Sequence, residues 1–142
     1  MKNLFCTFCG VFGTFVSSFF GGWDYGIRTL IIFMTIDYIT GLIVAGVFKK
    51  SPKTSNGGLE SRAGFKGLCR KIVMLMFVGL AFRFDMLLAV DYIRNAVIIG
   101  FCANEAISIT ENAALMGIPL PKVIINAIEI LKDKGESKND DF

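Results

Sequence analysis

The chain of 142 residues contains no histidine. That single absence removes the usual general base, the commonest metal ligand and the side chain that changes charge near neutral pH. Charge is scarce as well: 19% of residues are charged and 54% are hydrophobic, and the mean hydropathy is +0.59. A soluble domain carries about 25% charged residues and fewer long apolar runs. No nucleotide-binding glycine loop, catalytic triad or metal-ligand spacing occurs. Of the four cysteines, Cys6 and Cys9 form a CxxC, but no second pair or histidine completes a zinc site. Cys69 and Cys102 lie in other segments. Free cysteine behaves as a small hydrophobe, and all four read that way. These absences argue against an enzyme and give no reason to expect a metal or a cofactor. The net charge of +3 is concentrated in one loop, where a membrane explains it more simply than a nucleic acid does.

What remains is apolar. The first segment, Asn3 to Phe20, places Phe5, Phe8, Phe12, Phe15 and Phe19 at spacings of three and four, one aromatic ridge on a helix. Cys9, Gly13, Ser17 and Gly21 recur every four residues on another face. Small residues at that spacing let membrane helices approach closely. A signal peptide is the rival reading, with Lys2 as its basic start, but no small-x-small cleavage site follows. Gly21-Gly22-Trp23 reads as an interfacial turn.

The second segment, Thr29 to Phe48, carries one charge, Asp37, near its middle. A carboxylate there costs about 2.5–3.5 kcal/mol on insertion scales, so it faces protein or water. Thr40 lies beside it, and Gly41 and Ala45 continue the face with small residues. Asp37 reads equally as a functional group and as a purely structural one bonded to a neighbouring helix. Residues 49–71 then form a loop rich in serine and glycine, with Lys49, Lys50, Lys53, Arg62, Lys66, Arg70 and Lys71 set against Glu60 alone. Under the positive-inside rule this loop is cytoplasmic. A third segment begins near Arg70; hydropathy leaves open whether Arg83 and Asp85 end it or sit inside it, and a net-neutral outer turn around Asp85 and Asp91 is expected.

The fourth segment, Arg94 to Pro121, has the bulk of a membrane-crossing helix but is striped with polar groups. Arg94, Asn104, Glu105, Ser108, Glu111 and Asn112 fall within an arc of roughly 120° at 100° per residue. Such a helix wants lipid on one side and something polar on the other; intramembrane carboxylates and amides mark a cavity, a partner or a pathway. Gly117, Pro119 and Pro121 end it. Lys122 to Lys134 then sets Ile124, Ala127, Ile128 and Leu131 on one face, as a short amphipathic helix on the cytoplasmic membrane surface would. Gly135 to Phe142 is a charged tail.

The expected architecture is therefore an all-α membrane protein. It has three to four transmembrane helices and a C-terminal cytoplasmic amphipathic helix, with both termini in the cytoplasm. The divisions are a hydrophobic helix over 1–22, a membrane core over 23–121 with its basic loop at 49–71, and a cytoplasmic piece over 122–142.

Three runs carry a resemblance: IDYITGLIVA (36–45), GFKGLCRKI (64–72) and NEAISITENAALMGIPLPK (104–122), with GGWD (21–24) ahead of them. In this order and spacing the chain resembles the toxin-secretion/phage-lysis holin family, from about Gly21 to Leu131. The resemblance implies a small phage-encoded protein of Gram-positive bacteria that accumulates in the cytoplasmic membrane, oligomerises and permeabilises it. An endolysin, or a large toxin in some relatives, then passes without needing direct contact. The family has no catalytic residues to carry over. In this reading the polar stripe and Asp37 with Thr40 supply a pore-facing or inter-helix surface, and Gly13, Ser17, Gly21, Gly41 and Ala45 supply close helix contacts. The expected partners are the bilayer and further copies of the chain. The alternative is a non-lytic membrane component, either an antiholin-like regulator or a small channel or transporter subunit.

Overall fold

The computed structural model describes residues 1–140, with side chains through 136. Among the described residues there is no strand. Five helices follow in order: α1 (Lys2–Phe19), α2 (Tyr25–Ile43), α3 (Ser61–Leu88), α4 (Ile93–Leu115) and α5 (Lys122–Asp140), with a π-helical turn over Val44–Phe48 extending α2.

The helix ends follow from local chemistry. Gly21 adopts a left-handed φ of 78°. The Gly22 amide donates to Ser17 O at 2.8 Å and the Gly21 amide to Ser18 O at 3.3 Å, the paired bonds that close a helix C-terminus. Asp24 opens α2 by accepting from the Ile27 amide at 3.1 Å. Asp85 opens α4 by accepting from the amides of Ile93 at 2.9 Å and Arg94 at 3.0 Å. Gly117, with φ 75°, closes α4 through the same double bond used at Gly21: Ile118 N to Ala113 O and Gly117 N to Ala114 O, both 3.0 Å.

α4 is the central element and packs against α2, α3 and α5. The core joins Ile27, Leu30 and Met34 of α2 to Met74 and Val78 of α3 and Ile98 and Cys102 of α4. Outside this seam α2 and α3 are apolar on their exposed sides: Ile32, Ile36, Ile39 and Leu42 of α2 and Ile72, Met76, Phe77, Leu80 and Phe84 of α3 are all exposed. A contiguous apolar exterior of this kind is unlike a soluble monomer and suits lipid.

Several expectations change. α3 begins at Ser61, about nine residues before the expected start, so the basic loop narrows to 49–60. The early turn of α3 is held to α2, where the Tyr38 hydroxyl donates to Gly64 O at 3.3 Å. α3 also runs straight through Arg83 and Asp85 to Leu88, because Asp85 lies on its buried side and has the α4 amides to bond. α5 is longer than the surface helix expected over 122–134 and lies along α4, with Gly135 against Gly100. Of the expected charged tail, residues 141 and 142 lie outside the described residues. Tyr25–Phe48 is the one described helix that is long and apolar enough to cross a membrane by length and composition.

α1 stands apart, with no buried residue. It is attached through its last turn, where Phe19 lies against Gly79 and Gly21 against the Phe82 ring. Gly21 is therefore not the next step of the small-residue ridge; it lies beyond the helix and ends it. At Gly13 an added Cβ meets nothing within 4 Å.

These two glycines give opposite expectations in the detergent-solubilised monomer. Gly21→Ile forces a β-branched residue into left-handed backbone, at about 1–2 kcal/mol, and drives it into Phe82, so it lowers the thermal midpoint. Gly13→Ile leaves the midpoint unchanged. Thermal unfolding of the two variants side by side checks both.

Candidate functional site: a buried polar network between α2, α3 and α4

Asp37 sits halfway along α2 with its side chain 7% exposed, and Glu105 midway along α4 with 4%. Between them lies Lys71 of α3. Its Nζ donates to Asp37 Oδ2 at 2.7 Å and to Glu105 Oε2 at 2.6 Å. Asn112, one face-repeat further along α4, donates from Nδ2 to Asp37 Oδ1 at 3.1 Å and to Thr40 Oγ1 at 2.9 Å. Thr40 turns its own hydroxyl back to Ile36 O at 2.8 Å. One ammonium thus serves two carboxylates, and one amide ties the second oxygen of Asp37 to the next turn of α2. Buried charges persist only when paired and hydrogen-bonded in this way.

A cavity of about 120 Å³ adjoins the network. Its inner wall is Asp37, Lys71, Glu105 and Asn112, and its outer wall is the loop at Ser51–Thr54 together with Leu59 and Glu60. A water needs roughly 10–15 Å³ of such space, so the cavity has room for several. The cavity therefore connects the network with the loop end of the bundle through a lining of mixed polar and apolar groups, while the apolar core lies toward the opposite end.

A second polar cluster marks that opposite end. Arg94, buried at the start of α4, donates from Nη1 and Nη2 to the two Asp24 carboxylate oxygens at 2.8 and 3.3 Å. It also donates from Nη2 to Gly22 O at 3.2 Å and from Nε to Phe20 O. One guanidinium therefore holds the α1–α2 turn, the α2 cap and the α4 N-terminus together. The Arg94 bond holds the Asp24 carboxyl below its ordinary value of 3.8, against a smaller opposing effect of burial.

The polar stripe on α4 thus divides. Glu105 and Asn112 join Asp37 and Thr40 inside the protomer. Ser108 is half-buried and lines the cavity, Asn104 lines its mouth while exposed, and Glu111 is exposed outside it. Arg94 belongs to the other cluster. Gly41 lies against the Asn112 amide, 3.8 Å from where its Cβ would be, and Ala45 is buried on the cavity wall. Both small residues are used inside the protomer. In α1, Gly13 is exposed and Ser17 half-buried.

Lys71 is the site residue that sequence reasoning missed; it was counted with the cytoplasmic basic charges. A signal was present. Lys71, Met74, Val78, Ala81 and Asp85 recur at spacings of three and four, and all but Lys71 belong to the buried face of α3. Ile27, Leu30, Met34 and Asp37 do the same in α2. A charge in step with a heptad-like seam faces the seam.

Two expectations follow. Removing the ammonium alone, Lys71→Met, leaves two buried carboxylates facing each other and costs about 3–5 kcal/mol. Adding Asp37→Asn and Glu105→Gln to it restores most of the loss, as unfolding in detergent will report. Separately, the depressed Asp24 value means that its contribution is complete above pH 3.8 and disappears as pH falls through the lower folded-state value. Stability therefore has an acid limb below about pH 4, and Asp24→Asn flattens it in a pH series of thermal midpoints.

The comparisons with known proteins come to the same place. The model of the bacteriophage holin family matches residues 14–133. An uncharacterized protein of Listeria monocytogenes is 38% identical, over 91% of this chain and 89% of its own length. One of Halalkalibacterium halodurans is 35% identical, over 93% and 96%. An uncharacterized 14.9 kDa protein of Clostridium perfringens, in the nagH 3′ region, is 33% identical, over 86% and 88%. No solved structure matches. By its family match, its relatives and its apolar exterior, the chain belongs to the bacteriophage holin family of membrane proteins.

Proposed function

We propose that this protein is a holin that accumulates in the bacterial cytoplasmic membrane, self-associates and opens a lesion through which an endolysin or a large toxin passes. The observation that carries this reading is the sidedness of α2 and α3. Each has an apolar outer surface suited to lipid and turns Asp37 and Thr40, or Lys71, inward to meet Glu105 and Asn112 of the central α4, groups suited to water or to one another. In the closed protomer these groups satisfy each other across Lys71. A lesion needs the same groups turned to water, with the lipid-facing surfaces left as they are. Opening is then an exchange of packing partners and needs no chemical step.

In this reading α2, α3 and α4 cross the membrane and α1 forms a fourth crossing. The loop at 49–60, together with Arg62, Lys66 and Arg70, faces the cytoplasm by the positive-inside rule. The turn around Trp23 lies on the outer side.

Inducible expression in bacteria, with membrane potential and release of a cytoplasmic enzyme followed together, tests the function. Glu105→Leu and Asn104→Leu insert as well as the parent, because leucine is cheaper in lipid, and both abolish or mistime the release. Release on the parental schedule by both variants would reduce the stripe to packing. Collapse of the potential without enzyme release would favour a small channel. In a cysteine-free background, a cysteine at Ser55 stays shielded from an impermeant thiol reagent in intact cells and one at Trp23 is labelled; the reverse pattern overturns the orientation.

A further inference from the structure

α5 is an unusual neighbour for α4. It carries Lys122, Glu129, Lys132, Asp133, Lys134 and Glu136 within its described side chains, yet it runs back beside the central helix of an apolar-faced bundle. Gly135 reaches Gly100, and a Cβ at Gly135 would lie 3.4 Å from the Gly100 Cα and 3.7 Å from its N. Gly100 is fifteen residues before the end of α4 at Leu115, or about 22 Å along the axis. The two backbones are thus in contact far from the turn that joins them. That turn contains Gly117 with its left-handed φ, then Pro119 and Pro121, so the hydrogen bonds of α4 end before α5 begins.

The covered face of α4 has its own character. Ala96, Gly100, Ala103 and Ile107 fall within an arc of about 60° at 100° per residue, and the exposed Ala114 continues the same line outside the covered part. Glu105 and Asn112 lie on the far side, against α3 and α2. A mostly glycine and alanine face permits backbone-to-backbone approach, the contact on which helix association in lipid depends. At present α5 occupies it, at the cost of placing charged residues beside lipid-facing helices, where ionisable groups are expensive. A second α4 presenting the same face would fit it without those charges, in a self-complementary contact.

We infer that α5 is a detachable strap over the close-packing face of α4, and that a second copy's α4 takes this face when α5 swings away about the Gly117–Pro121 turn. The inference rests on the lesion-forming function proposed above and supplies the step that controls it. Glu111 and Asn104 lie at the edge of the same face, so pairing of two copies brings their exposed polar groups together beside the new contact.

The test uses the full chain in a background with Cys6, Cys9, Cys69 and Cys102 replaced. Cysteines at Gly100 and Gly135 are oxidised to lock the strap. A third cysteine, at the exposed Ala114 on the same face, reports pairing between copies by crosslinking with a short bismaleimide. The expected result is loss of both the Ala114 dimer and enzyme release in the locked protein, with both restored by dithiothreitol. A second variant, Gly135→Leu, adds three carbons beyond a Cβ position already in van der Waals contact with the Gly100 backbone, so it pushes α5 outward and gives more dimer and earlier release. A locked protein that dimerises and releases enzyme like the reduced one overturns the strap, as does a Gly135→Leu protein unchanged in both. Dimers that respond to the lock in a protein that never releases enzyme uphold the strap and remove the lesion reading instead.

Discussion

An ammonium shared by two carboxylates sets the terms for everything around it. Lys71 touches Asp37 of α2 and Glu105 of α4 at hydrogen-bonding distance, and the three side chains meet inside the seam of α2, α3 and α4. α2 and α3 touch each other far less than either touches α4, so Lys71 is the main polar tie between them. Moving any one of the three helices outward separates opposite charges in an environment of low dielectric, where the attraction is far stronger than in water. The register of all three helices is fixed by that requirement, because a shift of one residue turns the charge out of the seam. Met34, Met74 and Cys102 then fill the layer beside it.

The arrangement inverts the usual order of a soluble protein. Between α2, α3 and α4 polar groups are gathered inside and satisfy one another, while isoleucine, phenylalanine and methionine of α2 and α3 point out. In lipid no hydrophobic force holds such helices together, and hydrogen bonds and close packing carry the association. For the lesion function proposed above, that is a specific weakness of the closed state. Its cohesion depends on a few polar contacts that water, or other copies of the same helices, can replace. The cavity beside the network, which extends toward the loop at 49–60, is the place with room for water.

Much of the architecture was legible in the sequence because apolar periodicity and the helix stop at Gly117 and Pro119 act locally. The stripe on α4 identified Glu105 and Asn112, and the isolated charge in α2 identified Asp37. Lys71 was hidden by its neighbours: six other basic residues precede it between 49 and 70, and a charge count cannot separate the last of a series from the first residue of a buried seam. The same arithmetic blurs the spans. Hydropathy charges α3 and α4 the full cost of Lys71, Asp85, Arg94 and Glu105, although each has its partner within the fold. The path of α5 was not legible, since an amphipathic helix is equally content on a membrane surface and on another helix. Only the meeting of Gly135 with Gly100, thirty-five residues apart, distinguishes them.

The order of the chain also sets an order of charge neutralisation during synthesis. In the multi-span arrangement proposed above, segments leave the ribosome from the N-terminus onward, so Asp37 enters the bilayer first and waits for a counter-charge. Lys71 follows thirty-four residues later and balances it. Glu105 comes another thirty-four residues on and adds a negative charge to a pair already complete. Asp24 and Asp85 wait longer, because their partners, the Arg94 guanidinium and the first amides of α4, arrive only with that helix. α4 is therefore the helix that finds its place already built and completes the charge balance at both ends.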